Sequence, residues 1–184
     1  MPDTAGKEAA EGTLFHDVVE ICLITGCDPA GFEIGAKYQI NGHVVVYSQD
    51  MVKHIAKGVA TLEAILAEYP DAKLYVERRV DISPWTGEPG GMGTSDICIV
   101  SVAARKIIVF DWKYGLIAVS PIENDQETLY GLGCWQSIAG EMFGWNAADI
   151  EVELIIWQPR VPGGGGRWPT TMEALLVEGE KIVE

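Results

Sequence analysis

The chain is short of positive charge. Thirteen lysines and arginines stand against 27 aspartates and glutamates, a formal net charge of −14 over 184 residues. A general nucleic-acid binder carries a basic surface, because affinity for phosphate comes from Lys and Arg. That class is excluded in its ordinary form. Contact with nucleic acid would need a local basic patch, a metal ion or a partner protein. Cysteine is scarce as well. The four, at 22, 27, 98 and 134, make no CxxC pair and no Cys/His cluster. A structural zinc site and a disulfide framework are therefore not expected, and free, mostly buried thiols are. No apolar run approaches the ~20 residues that cross a bilayer. Residues 1–12, MPDTAGKEAAEG, lack an apolar signal core, so neither export nor a membrane partner is expected, and the location expected is cytoplasmic.

What is present suits a single globular domain over residues 1–184. Hydrophobic residues make up 48% of the chain, enough for a sizeable core. Residues 5–26 read as a helix, with Leu14, Val18, Ile21 and Cys22 at helical spacing and Gly26 as its C-cap. Gly12 inside it carries a cost and marks a close contact or a bend. Residues 43–69 read as a second helix, with an apolar stripe through Val52, Ile55, Val59, Leu62, Ile65 and Leu66 and a stop at Pro70. His43 and His54 read as ordinary residues of that helix.

The period then changes to two. In residues 73–82 Leu74, Val76, Val80 and Ile82 share one face and Tyr75, Glu77, Arg79 and Asp81 the other, with Arg78 a misfit. SPWTGEPGG at 83–91 is a loop. Residues 93–101 and 106–113 form an antiparallel hairpin. A helix over 125–144, a strand over 150–159, a GGGG loop at 163–166 and a short helix over 170–177 complete the chain. The fold class expected is α/β or α+β, a mixed central sheet flanked by helices.

The hairpin carries the chemistry. VFDWKYG at 109–115 is an apolar strand broken by Asp111 and Lys113, which share a face. A hairpin symmetric about Ala103 and Ala104 sets Asp96 opposite Asp111. Opposed side chains have Cβ atoms roughly 4.5–5.5 Å apart, and like charges so placed repel. A proton or a divalent cation offsets that repulsion, and Lys113 one step along would stand beside a phosphate oxygen. A one-residue slip would separate the acids, and Asp111 with Lys113 would then be a surface pair of little worth. Downstream, QETLY at 126–130 puts Gln126 and Tyr130 on one helix face, able to hold a phosphate or to order the lysine.

Taken in order, AAEGTLFH (9–16), VERRVD (76–81), GTSD (93–96), DWKYG (111–115), NDQETLY (124–130) and QPR (158–160) resemble the PD-(D/E)XK nuclease superfamily. The resemblance is to its RecB-like branch, closest to a phage and prophage group of largely uncharacterised nuclease-like proteins. It covers most of the chain. It implies a restriction-endonuclease-like core and a Mg²⁺- or Mn²⁺-dependent deoxyribonuclease, in particular an exonuclease of phage recombination or replication in the bacterial cytoplasm. Asp96 and Asp111 would be metal ligands and the Trp112 backbone carbonyl a further one. Lys113 would activate water and stabilise the transition state. His16 would be the additional ligand of RecB-like members, although imidazole suits Mn²⁺ better than Mg²⁺. Gln126 and Tyr130 would position Lys113 or the scissile strand, and Glu77 would act from the outer sphere. The four cysteines are not placed for the iron–sulfur cluster of some relatives.

The expected partner is DNA, as a free end or single strand, with Lys37, Lys53, Lys57, Arg78, Arg79, Arg160 and Arg167 as the few candidate contacts and Trp168 as a stacking residue or a plain anchor. A homo-oligomer or a single-strand-binding partner would supply missing positive charge. The alternative is a catalytically silent protein of the same fold whose acidic surface binds a basic partner or mimics DNA.

Overall fold

The computed structural model describes residues 4–140 and 146–183. Five strands form one mixed sheet in the order β3-β4-β5-β6-β7: β3 (Lys73–Asp81), β4 (Met92–Ser101), β5 (Lys106–Trp112), β6 (Glu151–Trp157) and β7 (Gly166–Thr171). All neighbours are antiparallel except β5 and β6. The parallel pair is joined through a helix, as parallel strands require. The chain is thus mixed α+β, a central sheet flanked by helices. No helix among the described residues is long and apolar enough to cross a membrane.

Helices α1 (Thr4–Thr25) and α2 (Gln49–Glu68) cover one face. Leu14, Phe15 and Val18 of α1 and Ile55, Leu62 and Ile65 of α2 pack there on Ile97, Ile99, Ile108, Phe110 and Trp112 of the sheet. Ile21 lies outside this core, 43% exposed. Gly58 of α2 lets the helix approach: a Cβ there would stand 2.7 Å from Trp112 Cζ3 and 2.7 Å from Trp157 Nε1. Nothing lies within 4 Å of a Cβ at Gly12, so no close contact accounts for that glycine.

Helices α4 (Asp125–Cys134) and α5 (Met172–Val183) lie on the other face, where Leu132, Cys134, Met172 and Leu175 bury Cys98, Val100, Ile107, Val109, Val152 and Leu154. Both faces of β5 are therefore core. Asp111 stands at the end of a buried apolar row, and the polar site occupies that end rather than the whole face.

Several elements differ from the sequence reading. The second helix starts at Gln49, where the Ser48 side chain accepts from the Met51 N–H. Residues 43–46 form instead the second strand of a hairpin, β1 (Lys37–Ile40) with β2 (His43–Val46). Its turn has φ of 48° at Asn41 and 81° at Gly42, the two positive values of a type I′ turn. Strand β3 does not keep one apolar face. Val76 packs on the first core, Val80 and Ile82 on the second, and the change falls at Glu77, whose φ is 48°. Within 83–91, Ser83–Thr86 makes a short helical turn, α3. Helix α4 continues as a π-helical turn over Trp135–Gly140; residues 141–144 of the expected helix lie outside the described residues. Finally, β7 occupies the stretch after the glycines, so the last helix begins at Met172 rather than 170. Trp168 is an anchor, packed against the second core.

Candidate functional site

The symmetric hairpin register is the observed one. Ile97 pairs with Phe110 and Cys98 with Val109. The pairing ends there, with Asp96 and Asp111 next along the two strands and near enough for the Asp111 charge to act on Asp96. On the other side of β4, Val76 pairs with Ile97 and Arg78 with Ser95, which sets Glu77 level with Asp96. Glu77, Asp96 and Asp111 thus gather at one end of three adjacent strands. The ladder opens at this level: Glu77 has left-handed backbone, and the Asp96 Oδ2 accepts instead from the Trp112 N–H at 2.8 Å. A non-glycine residue with positive φ inside a strand costs free energy, and such strain gathers at functional sites.

Helix α1 supplies His16. Its Nε2 lies 2.7 Å from the Trp112 carbonyl oxygen. A carbonyl only accepts, so Nε2 carries the proton and neutral imidazole keeps a lone pair on Nδ1. That nitrogen lies 3.6 Å from Asp96 Oδ2. Ligand atoms of His16, Glu77 and Asp96 all lie within 4.8 Å of one another. The Trp112 carbonyl, expected as a ligand, here orients the histidine.

A second chain of contacts leads away from Asp111. Lys113 Nζ lies 2.9 Å from Asp111 Oδ2 and donates to Gln126 Oε1 at 3.1 Å. Gln126 Nε2 donates in turn to the Tyr130 hydroxyl at 2.9 Å. Helix α4 presents Gln126 and Tyr130 one turn apart, and Asn124 caps it by accepting from the Glu127 N–H at 3.2 Å. The glycine of GTSD makes room for this arrangement, since a Cβ on Gly93 would stand 2.8 Å from Tyr130 Cε1.

Burial dominates the electrostatics. It raises the Asp96 carboxyl to about 7, with the Asp111 charge adding to the effect. Glu77 is raised to about 7, by burial and then by Asp96. Asp111, 1% exposed, is also raised by burial against the pull of Lys113. For Lys113 burial acts downward, but Asp111 beside it outweighs this and the net direction is up.

Glu127 was not among the residues expected at the site. It is 0% exposed, neither carboxylate oxygen has a hydrogen-bond partner, and burial followed by the Asp111 charge raises it to about 9. Beside Gln126 on a helix first turn, a glutamate reads as a solvent residue. Only the seating of α4 against the sheet end buries it.

These residues suit a divalent cation. Metal-bound histidines commonly donate their second N–H to a backbone carbonyl, as His16 does. The donor set of one imidazole and several carboxylates accepts Mn²⁺ readily and Mg²⁺ through its oxygens. Asp111 Oδ2 is buried without a hydrogen-bond partner, its contact with Lys113 being an ion pair outside hydrogen-bond geometry.

Three of the expected DNA contacts are paired with acids within the chain, the first being Lys53, which donates to Asp50 at 3.4 Å. Arg167 forms a two-pronged pair with Glu153, at 2.6 and 3.0 Å. Arg160 donates to Glu11 at 2.7 Å and to the Tyr114 carbonyl at 3.0 Å. His54, read as ordinary, contacts the Tyr114 hydroxyl at 3.2 Å.

A family model described as a protein of unknown function (DUF2800) matches residues 1–184. No curated protein and no solved structure matches the chain. The chain belongs to the DUF2800 family.

Proposed function

We propose that this DUF2800 chain is a Mg²⁺- or Mn²⁺-dependent deoxyribonuclease with a restriction-endonuclease-like PD-(D/E)XK core. The observation that carries the reading is the pairing of two groups at one sheet end. A His16–Glu77–Asp96 cluster able to hold a cation adjoins a lysine seated between Asp111 and Gln126.

His16 Nδ1, Glu77 and Asp96 would hold the cation, with Asp111 beside them. A cation there lowers the pKa of water and neutralises phosphate charge. Lys113 brings N–H donors to the oxygen on which charge develops, where a preorganised donor in a buried site is worth most. Gln126 holds that ammonium in place and is itself held by Tyr130. The proton on His16 Nε2 is committed to Trp112, which keeps the imidazole from rotating. The substrate is DNA as a free end or single strand, cut from an end in phage recombination or replication in a bacterial cytoplasm. A partner protein or a second copy supplies the phosphate contacts that Arg160 and Arg167 cannot.

The net charge of −14 favours a second reading, a silent protein that binds a basic partner. Incubation with linear and circular, single- and double-stranded DNA separates the two. Wild-type protein cleaves with Mg²⁺ or Mn²⁺ and not with EDTA, and Asp111→Ala and Lys113→Ala lose the activity. No metal-dependent cleavage of any substrate, or equal cleavage by the variants, sinks the nuclease reading.

A further inference from the structure

Gly12 weakens α1 without a packing reason. A glycine inside a helix is less favourable than an alanine, and nothing lies within 4 Å of a Cβ at this position. The space beside it belongs to an open groove of about 380 Å³ between α1 and the loop that follows Lys113. Ala5, Ala9 and Gly12 form one wall, and Lys113, Leu116, Ile117 and Val119 the other. Of the described residues that line the groove, only Lys113 and Glu8 carry charge.

Both walls start at the candidate site. On α1, Gly12 and His16 stand one turn apart on the same face, so this wall continues the row that holds the histidine. From His16 to Ala5 is about 16 Å of helix. The opposite wall begins at Lys113 itself. Its loop is fixed from beneath by Gln158, which is buried. The Gln158 amide donates to the carbonyls of Ile117 at 2.7 Å and Gly115 at 3.3 Å, and accepts from the Val119 N–H at 2.9 Å. In the loop so held, Leu116 is 48% and Ile117 82% exposed.

The occupant must be apolar along the groove and anionic where it meets Lys113. It must also approach a chain of net charge −14, which repels a bare phosphate backbone. A single DNA strand meets these conditions when its bases turn inward. Base faces are apolar and open in a single strand, and leucine and isoleucine pack against unstacked bases. In a duplex the same faces are stacked on one another.

We infer that the groove holds the unpaired bases of the DNA strand next to Lys113, so that this acidic protein grips its substrate by bases more than by phosphates. This rests on the reading that a phosphodiester is cut beside Lys113. Gly12 leaves open the space that a base fills.

The test is fluorescence anisotropy in EDTA with three labelled DNAs of one length: a single strand, an abasic single strand and a duplex. Wild type should bind the single strand at least tenfold tighter than either of the others. Its log K should fall against log salt with a slope of about −1 or shallower, since each neutralised phosphate of a single strand contributes about −0.7. Gly12→Leu fills the groove and should weaken single-strand binding about tenfold. Its melting midpoint should rise by about 2–4 °C, because a better helix former replaces glycine in open space. Ile117→Ser, at an exposed loop position, should weaken binding about threefold and decides the matter should Gly12→Leu not fold. Equal affinity for the normal and abasic strands, a slope of −2 or steeper, or unchanged binding by both variants overturns the proposal. So does a wild-type dimer in sedimentation velocity that Ile117→Ser disperses, which gives the groove to a second copy. Cleavage assays with Mg²⁺ or Mn²⁺ on the same samples separate the failures. Metal-dependent cleavage with base-blind binding refutes this proposal alone, and neither cleavage nor binding of any DNA refutes the nuclease reading with it.

Discussion

Replacing Asp96 by Asn should stabilise the metal-free protein, and the gain should depend on pH. The Asp96 carboxyl rises from 3.8 to about 7 in the fold, which at about 1.4 kcal/mol per tenfold change in proton affinity amounts to roughly 4 kcal/mol. The side chain is 12% exposed, so solvent screening removes little of it. The sign follows from the proton count. At pH values below the ordinary carboxyl range, folded and unfolded states both hold the proton and there is no cost. As pH rises towards 7, the unfolded chain ionises while the fold keeps its proton, so stability falls. Above about pH 8 the loss is complete. Glu77 and Glu127 act in the same direction. His54 acts in the other, because burial lowers its pKa and the unfolded chain takes up the proton. A difference between wild type and Asp96→Asn cancels the His54 contribution and the burial part of the two glutamate shifts; the part that the Asp96 charge imposes on Glu77 and Glu127 disappears with it and adds to the gain. Asn keeps an oxygen for the Trp112 N–H, so the hydrogen bond need not be lost. At pH 8 in chelator-treated buffer, Asp96→Asn should exceed wild type by up to about 4 kcal/mol, which for a domain of this size is on the order of 10 °C in Tm. At pH 4.5 most of that advantage should vanish. Circular dichroism melts at the two pH values measure it. The same Tm difference at both, or a variant less stable than wild type at pH 8, would refute the claim that Asp96 is held against its charge.

Three further substitutions probe the frame around the site. Gly58→Ala forces a methyl against Trp112 and Trp157 and should cost about 1–3 kcal/mol of unfolding free energy in urea. Gly93→Ala pushes on the Tyr130 ring at 2.8 Å; cleavage should fall by up to about a hundredfold, the cost of a misplacement of about 1 Å, with substrate affinity little changed in a filter-binding assay. Asn124→Ala removes the cap of α4 and should lower stability by about 1 kcal/mol, measurable in the same urea titration.

The sheet register was legible because it follows from symmetry. Two apolar runs flanking a short turn leave little freedom, and Asp96 near Asp111 comes with it. Glu77 was harder. An alternating strand sends it to one face with Arg79, whereas positive φ at Glu77 itself lets the strand change faces there and brings the carboxylate to His16. That conformation is imposed by tertiary contacts and leaves no trace in the pattern of residues. The β1–β2 hairpin did carry its signal, Asn41-Gly42 between apolar alternations, but Val44, Val45 and Val46 merge with the helical stripe that follows. Strand β7 was obscured by the four glycines before it, whose flexibility says nothing about the edge it joins. Glu127 was the least visible, since burial of a glutamate in a helix first turn depends wholly on what that helix lies against.

The most direct measurement is anomalous scattering at the manganese edge from crystals grown with Mn²⁺. A single strong peak bounded by His16 Nδ1, Glu77 and Asp96, absent from crystals of His16→Ala, is what the account predicts. No peak at that end of the sheet, or density only at surface carboxylates, would contradict it.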